Sequence, residues 1–485
     1  MNLTKLEQVR MDRLRQLPHP YGRANKDVQS ISHARDAFEI AENAKSEIPV
    51  TTLVQGRIIL LRDNGGLIWL KIRDDSGEIQ IAISKKDVTN EIAFGIAKLF
   101  DLGDIIRATG PIRRTKTNEV TVWASDVEIA CKSLAHPPDK VAGLQDVELR
   151  YRKRYLDMAF NPEFVKTAKM RSLIVHELRN QMIENGYMEV ETPMLHTLAG
   201  GAAAKPFVTH LNALDIPLFL RVAPELYLKR LIVGGLPAVF EINRNFRNEG
   251  IDATHNPEFT SLEAYKINED VHSLMNSISD ILRHIAAAVI KKTGSRIWYN
   301  GREIDFGAFG KPFKCISYQG TYYAVTGEDL TKLTDPEDFI KANKRFEAEC
   351  EKVIDPTVPT FVLGYPSTIS PLTRPNGGDP RFCQRADLFI GGMEVGTVYT
   401  EQNDPEAQYN AFSQQLAGED EEAATHRNLD EDFIEALKVG MPPTGGWAIG
   451  VDRLVMLLTR QTSVRDVIAF PFMRPLTAAA SVSQD

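Results

Sequence analysis

Arg244, Arg247 and Glu249 lie in the string INRNFRNEG, and His255, Asn256 and Phe259 follow in THNPEF. In an extended strand the side chains at 247 and 249 share a face, so a guanidinium and a carboxylate would project into one cleft. Arginine's planar fork is the side chain best shaped to grip a phosphate through two hydrogen bonds. A second arginine, Arg453, stands in GGWAIGVDRL, where Gly445, Gly446 and Gly450 permit close backbone approach ahead of an apolar helix. Two arginines and an aromatic ring suggest a nucleotide. Asp387 and Glu394 flank the Gly391-Gly392 turn, and hard carboxylate oxygens suit Mg2+ bridging phosphates. Charged strands are also common on protein surfaces, so ordinary surface salt bridges are the competing reading of the same residues.

The scaffold behind these residues is large. At 485 residues, 43% hydrophobic and 25% charged, the composition is that of a folded chain of several domains rather than a fibrous or disordered one. Apolar runs such as 58–61 and 285–290 fall far short of the roughly 18 residues of a membrane span. Residues 1–17 mix charges with isolated leucines and lack the apolar core of a secretory signal, which gives a cytoplasmic expectation. The four cysteines, 131, 315, 350 and 383, are scattered and read as buried or inert thiols. A net charge of -8 argues against coating nucleic acid indiscriminately, though not against a local basic face.

Periodicity divides the chain. β-branched, partly alternating runs at 54–61, 67–72, 78–84, 104–109 and 119–130 predict five strands, and Ile92, Ile96 and Leu99 predict a helix over 88–100 between the third and fourth. A helix there is the signature of the five-stranded oligonucleotide-binding (OB) barrel, with any small β-barrel as the alternative. Residues 132–160, with Pro137-Pro138 and the run Arg150, Arg152, Lys153, Arg154, read as a basic linker. Asn161 as N-cap and Pro162 at the first position start a long helix that Gly186 stops. Strands are expected at 218–222, 238–242, 259–265, 361–364, 386–390 and 393–399, and helices at 226–233, 271–291 and 336–353. The acidic stretch 418–425 reads as an exposed turn or helix start. The outcome is an α+β chain: an extension at 1–49, a barrel at 50–131, the linker, a large domain at 161–475 built on an antiparallel sheet, and a tail at 476–485.

The strings INRNFRNEGIDATHNPEF and GGWAIGVDRL resemble motifs 2 and 3 of class II aminoacyl-tRNA synthetases, and the segment ending in MEVETP resembles motif 1. GLQDVELRYRKRYLD, GGAAAKPFVTH, LRVAPELYLKRLIVGG, ISPLTR and SVRDVIAFPFMRP narrow the likeness to a bacterial-type class II lysyl-tRNA synthetase from about residue 50 to 475. That resemblance implies ATP, Mg2+, lysine and tRNA(Lys) as ligands, and a homodimer formed through motif 1. It implies that Arg247 holds the α-phosphate and the substrate carboxylate and Arg453 the γ-phosphate. Phe259 would stack on adenine with His255 and Asn256 nearby, and Glu249 would orient the adenine amino group. Asp387 and Glu394 would carry Mg2+, Asp387 standing where the family has the longer Glu. Gly201 and Glu263 would receive the α-amino group, with Glu225 on the wall, and Glu401 and the Tyr265 hydroxyl would take the ε-amino group. A desolvated ammonium does need such a carboxylate. Trp69, Gln80 and Glu119 fall where the family reads the anticodon, a combination of ring and polar edges suited to single-stranded bases.

The chain departs from the family in several places. MEVGTVYTEQNDP replaces the usual REIANGFSELNDP, so that Thr397 stands for Asn, Val398 for Gly and Tyr399 for Phe. Trp447 and Ala448 replace Leu and Gly in motif 3, and these changes are expected in the amino-acid pocket. The alanine is similar to that of a truncated paralogue which activates β-lysine but lacks the barrel. Three readings follow: a lysine-tRNA ligase with a drifted pocket, a paralogue for a lysine analogue or a different acceptor, and a non-catalytic RNA-binding protein.

Overall fold

In the computed structural model, which describes residues 3–89, 91–135, 144–202, 204–417 and 429–476, alternation from residue 51 to 131 folds as six strands. They are β1 Thr51–Asp63, β2 Leu67–Arg73, β3 Glu78–Ser84, β4 Ile105–Arg114, β5 Val120–Trp123 and β6 Asp126–Cys131. Pairing runs β1-β2-β3-β5-β4 and returns from β4 to β1, closing a five-stranded OB barrel to which β6 adds beside β4. The strand expected over 119–130 is thus two, broken at Ala124 and Ser125, where the chain leaves the barrel wall. Strand β2 shows the period of two: Ile68, Leu70 and Ile72 point into the core while Trp69 and Lys71 point out. The intervening helix is shorter than expected, Glu91–Ala97, and buries Ala93, Phe94 and Ala97, leaving Ile92 exposed.

Neighbouring segments complete this unit, which spans Met1–Val165. The extension folds as helices Lys5–Gln16 and Ile31–Asn43, the first opened by a capping box between Thr4 and Glu7, and Ile31 and Ala34 enter the barrel core. The basic run is not a solvated linker throughout. It forms the helices Val147–Arg152 and Arg154–Phe160, with Asp157 fully buried between Arg150 and Arg154. Pro137-Pro138, the stretch 418–425 and all but the first residue of the 476–485 tail lie outside the described residues.

The second unit, Lys166–Asp485, is built on an eight-stranded sheet. In order across the sheet its strands are Lys314–Ser317, Thr360–Leu363, Arg385–Ile390, Met393–Thr400, Thr444–Gly450, Glu258–Ile267, Ala238–Phe246 and Met188–Glu189. The central pairs are antiparallel, and the outermost pair at each edge is parallel. One face is apolar: Phe240, Leu262, Ala264, Ile449, Trp447, Val398, Leu388 and Ala386 pack in one core with the helix Val271–Thr293. The helix expected over 336–353 breaks into Pro336–Arg345, a π turn at Phe346–Cys350 and a 3-10 turn at Glu351–Val353. Cys350 and Cys383 are buried as expected, but Cys315 is exposed and Cys131 half-buried.

Candidate active site

The residues that alternate with the apolar core form the opposite face of the sheet, and there the polar side chains gather. Strand register sets them in rows. Ser261 stands opposite Gly450; Glu263, Ala448, Thr397 and Asp387 form the next row; Tyr265, Gly446, Tyr399 and Arg385 form the third. Successive rows are separated by two residues, or about 7 Å of strand. Glu394 reaches this face through a β-bulge: Leu388 opposes Gly396 but Phe389 opposes Glu394, so Val395 is the extra residue and turns into the core. With regular alternation through Val395 in place of the bulge, Glu394 would share the core-facing side of Val398. The cavity over these rows is lined by Gly201, Glu225, Arg247, Phe259, Glu263, Glu394, Thr397, Tyr399, Glu401, Ala448 and Arg453.

At one end are the arginines. The strand carrying Arg244 ends at Phe246, so Arg247 and Glu249 do not share a strand face; the Arg247 amide instead bonds to the Pro257 carbonyl. Arg247 enters the cavity with its guanidinium 5.1 Å from the Phe259 ring, and its buried Nε has no hydrogen-bond partner among the described residues. Arg244 pairs with Glu258 at the surface. Glu249 is exposed, accepts a bond from the Lys205 amide at 3.3 Å and does not line the cavity. Arg453 donates from Nη1 to the Glu394 carbonyl at 2.7 Å and lies 3.0 Å from His255 Nε2 through Nη2. With Arg453 donating to Nε2, the His255 proton belongs on Nδ1, which faces Asp252 at 2.8 Å. His255 therefore aligns Arg453, while the Asn256 amide is turned to the Glu258 carbonyl.

Asp387 and Glu394 come from adjacent strands. Arg385 grips both oxygens of Asp387, at 2.9 and 2.8 Å, and stacks 4.6 Å from the Tyr365 ring. Burial, then the Asp387 charge, push the Glu394 carboxyl above its ordinary range. A buried carboxyl raised beside a second carboxylate fits a hard dication, whose oxygen ligands Glu394 and Asp387 would supply. No group of three His, Cys, Asp or Glu side chains that could hold a metal ion occurs among the described residues.

Carboxylates cluster at the other end. Glu263 is 7% exposed and is pushed up to about 8, first by burial and then by Glu225, against the pull of Arg247. Gly201, with φ +91, presents its backbone near Glu225. Glu401 is almost fully buried, and its Oε1 has no hydrogen-bond partner among the described residues. A Cβ at position 446 would overlap that oxygen and the Tyr265 ring, so the row needs glycine there. Lys229, which the sequence reading passed over, lies beneath: its ammonium is 2.7 Å from Glu225 Oε1 and 2.6 Å from Glu401 Oε2. Its charge was visible in the sequence, but helical spacing alone gives it a solvated face as readily as a buried one.

Two of the expected pocket changes are not in the pocket. Val398 and Trp447 point into the apolar core, 1% and 2% exposed, so they alter packing behind the sheet. Thr397, Tyr399 and Ala448 do face the cavity. On the barrel, Trp69 and Gln80 lie on the outer face, and Glu119 is exposed just ahead of β5. A fourth residue joins them: Trp123, across Ala82 from Trp69, meets the Trp69 ring edge to face at 5.8 Å.

Comparison with known proteins agrees with this geometry. Residues 146–474 match the class II tRNA synthetase family (D, K and N), and residues 52–130 match the OB-fold nucleic acid binding domain. A lysine–tRNA ligase of Carboxydothermus hydrogenoformans is 42% identical over 98% of this chain and 99% of its own length. Those of Dechloromonas aromatica, 44% identical over 88% and 87%, and of Campylobacter jejuni, 42% over 97% of each chain, are similar. With both its barrel and its catalytic sheet matched, the chain belongs to the class II tRNA synthetases and, among them, to the lysyl-tRNA synthetase family.

Proposed function

We propose that this aminoacyl-tRNA ligase activates lysine with ATP and passes it to tRNA(Lys). The observation that carries the reading is the order along the sheet: Arg247 and Arg453 in the cavity, then Glu263 with Thr397 and Ala448, then Tyr265 with Gly446, over which a Glu401 oxygen lies. The step of about 7 Å between the last two is comparable to the reach of an extended lysine side chain. Lysine would lie along the strands with its carboxylate toward Arg247 and its terminal ammonium on Glu401. Gly201 and Glu263 would take the α-amino group, with Glu225 on the cavity wall. The carboxylate attacks the α-phosphorus in line and pyrophosphate leaves. Arg247 and Arg453 hold the phosphate oxygens, Phe259 supports the adenine, and bringing the reactants together supplies much of the acceleration. Asp387 and Glu394 would hold Mg2+, which neutralises developing phosphate charge when bound. A hydroxyl of the tRNA 3' end then attacks the adenylate's carbonyl carbon, forming the lysyl ester and releasing AMP.

ATP–pyrophosphate exchange with lysine, β-lysine, ornithine and arginine, followed by charging of total tRNA, tests the reading. Exchange with β-lysine alone would favour the paralogue, and no exchange at all a binding protein. Neither is favoured over the ligase that the full-length relatives support; of the departures, Val398 and Trp447 lie behind the sheet, and Thr397, Tyr399 and Ala448 face the cavity. The substrates put its place of work in the cytoplasm, and no helix among the described residues is long and apolar enough to cross a membrane.

The barrel face supports anticodon reading. Trp69→Ala should cost charging about 1–3 kcal/mol of stacking while leaving pyrophosphate exchange unchanged. A parallel fall in both would remove the barrel as an independent reader. A homodimer through the motif 1 segment is supported by exposed apolar side chains at its edge, Ile183, Met188, Met194 and Leu195, each at least 41% exposed. A homodimer covering this edge is expected in sedimentation at micromolar concentration, and a monomer there would count against it.

A further inference from the structure

We propose that Lys229 is a positioning residue for amino-acid selection: its buried ammonium ties Glu225 to Glu401, fixes their spacing and leaves the pair one negative charge for one incoming ammonium. The proposal rests on the reading of this cavity as a lysine site. Three observations carry it. Lys229 is 0% exposed and its Nζ bonds one oxygen from each carboxylate. Glu401 is thereby held by Oε2, and its buried Oε1 is the oxygen with no partner among the described residues. Glu225 and Glu401 both line the cavity, whereas Lys229 lies behind them and is not reached by substrate.

A buried cation with two carboxylates has a physical consequence. Two desolvated carboxylates close together share a proton rather than both ionise, and a protonated Glu401 cannot pair with an ammonium. Lys229 opposes this. Although burial alone would lower it, Glu225 and Glu401 keep it raised and therefore charged. The groups facing Glu401 are Lys229 and Glu225 from the helix Glu225–Val233 and Tyr265 from one strand, and Tyr265 in turn faces Glu263 and Tyr399. Tyr265 is itself raised far above its ordinary range, first by burial and then by Glu225, so it stays a neutral donor. Only Lys229 in this set is a cation. Burial raises Glu401, Lys229 draws it down and Glu225 pushes it up again, which together leave it raised to about 7. Lysine binding should therefore tighten as pH rises through about 7, and the midpoint should move higher when the Lys229 charge is removed.

The test is the pH dependence of the lysine KM in pyrophosphate exchange, between about pH 6 and pH 9, for the parent, Lys229→Gln and Lys229→Arg. The Gln variant keeps a donor but loses the charge. It should show an alkaline-shifted midpoint and, near neutrality, a KM raised about tenfold or more, while kcat at saturating lysine stays within a few-fold. The Arg variant keeps the charge and should keep the midpoint, but its wider planar head should change the lysine-to-ornithine ratio. A Gln variant with the parent midpoint, or one that loses kcat at constant KM, overturns the proposal. If thermal melting shows that the Gln variant does not fold, the Arg variant decides: a shifted midpoint, or an unchanged ratio, overturns the role. Failure of the parent to exchange with lysine would instead sink the functional reading.

Discussion

Arg247→Ala and Arg453→Ala are each expected to abolish adenylate formation while the protein stays folded. Each arginine sits at the phosphate end of the cavity, and neither belongs to the apolar core. Arg247 brings a buried Nε with no partner among the described residues and packs its guanidinium near the Phe259 ring. Arg453 is pre-aimed by the Glu394 carbonyl and by His255, so its cost of ordering is met before ATP arrives. Removing one preorganised donor to transition-state charge costs about 10²–10³ in rate, and removing a full guanidinium from a dry phosphate site should exceed that. Pyrophosphate exchange should fall by about 10³ or more in each variant, with the melting curve near that of the parent. Exchange close to the parent rate in either would remove the assignment of these residues to phosphate. His255→Ala should be milder, since it only aligns Arg453.

The alternation of Leu262 with Glu263 and of Ile449 with Ala448 was readable from period two, and it correctly separates a core face from a polar face. The same rule misjudged Arg247 and Glu249, because a strand's end depends on its partner: pairing stops where Phe246 meets Glu258. Glu394 was identified by its motif, but no pattern announced the bulge at Val395 that turns it onto the site face. Val398 and Trp447 were read as pocket changes because they neighbour pocket residues in sequence, and a single step along a strand reverses the face. The break between β5 and β6 was hidden by continuous strand-forming residues on both sides of Ser125. Lys229 shows the converse limit, since only tertiary packing brings Glu401 to it across the sheet.

Glu401 should decide which amino acids are activated. The ε-amine end keeps Glu401 and Tyr265, whereas the departures that do face the cavity near the other end, Thr397 and Ala448, lie one row away. Selectivity should therefore be strict for a terminal amine and looser around the backbone. Ornithine shortens the chain by one methylene, worth about 1–3 kcal/mol, so its rejection should be modest. Norleucine would bury an already desolvated carboxylate against a methyl group, and a site built for a polar partner rejects such an analogue by about 10⁴–10⁵. Glu401→Gln removes the charge from the other side of the pair and leaves the substrate ammonium without its counter-ion, at a cost of about 3–5 kcal/mol. Lysine kcat/KM in pyrophosphate exchange should then fall by about 10² to several thousand, chiefly through KM, because the contact is made in the ground state as well as the transition state. The parent should discriminate norleucine far more sharply than the Gln variant does. Equal activation of lysine and norleucine by the parent would show that the ammonium never pairs with Glu401, and the amino-acid end of the site would then have to be sought elsewhere on the sheet.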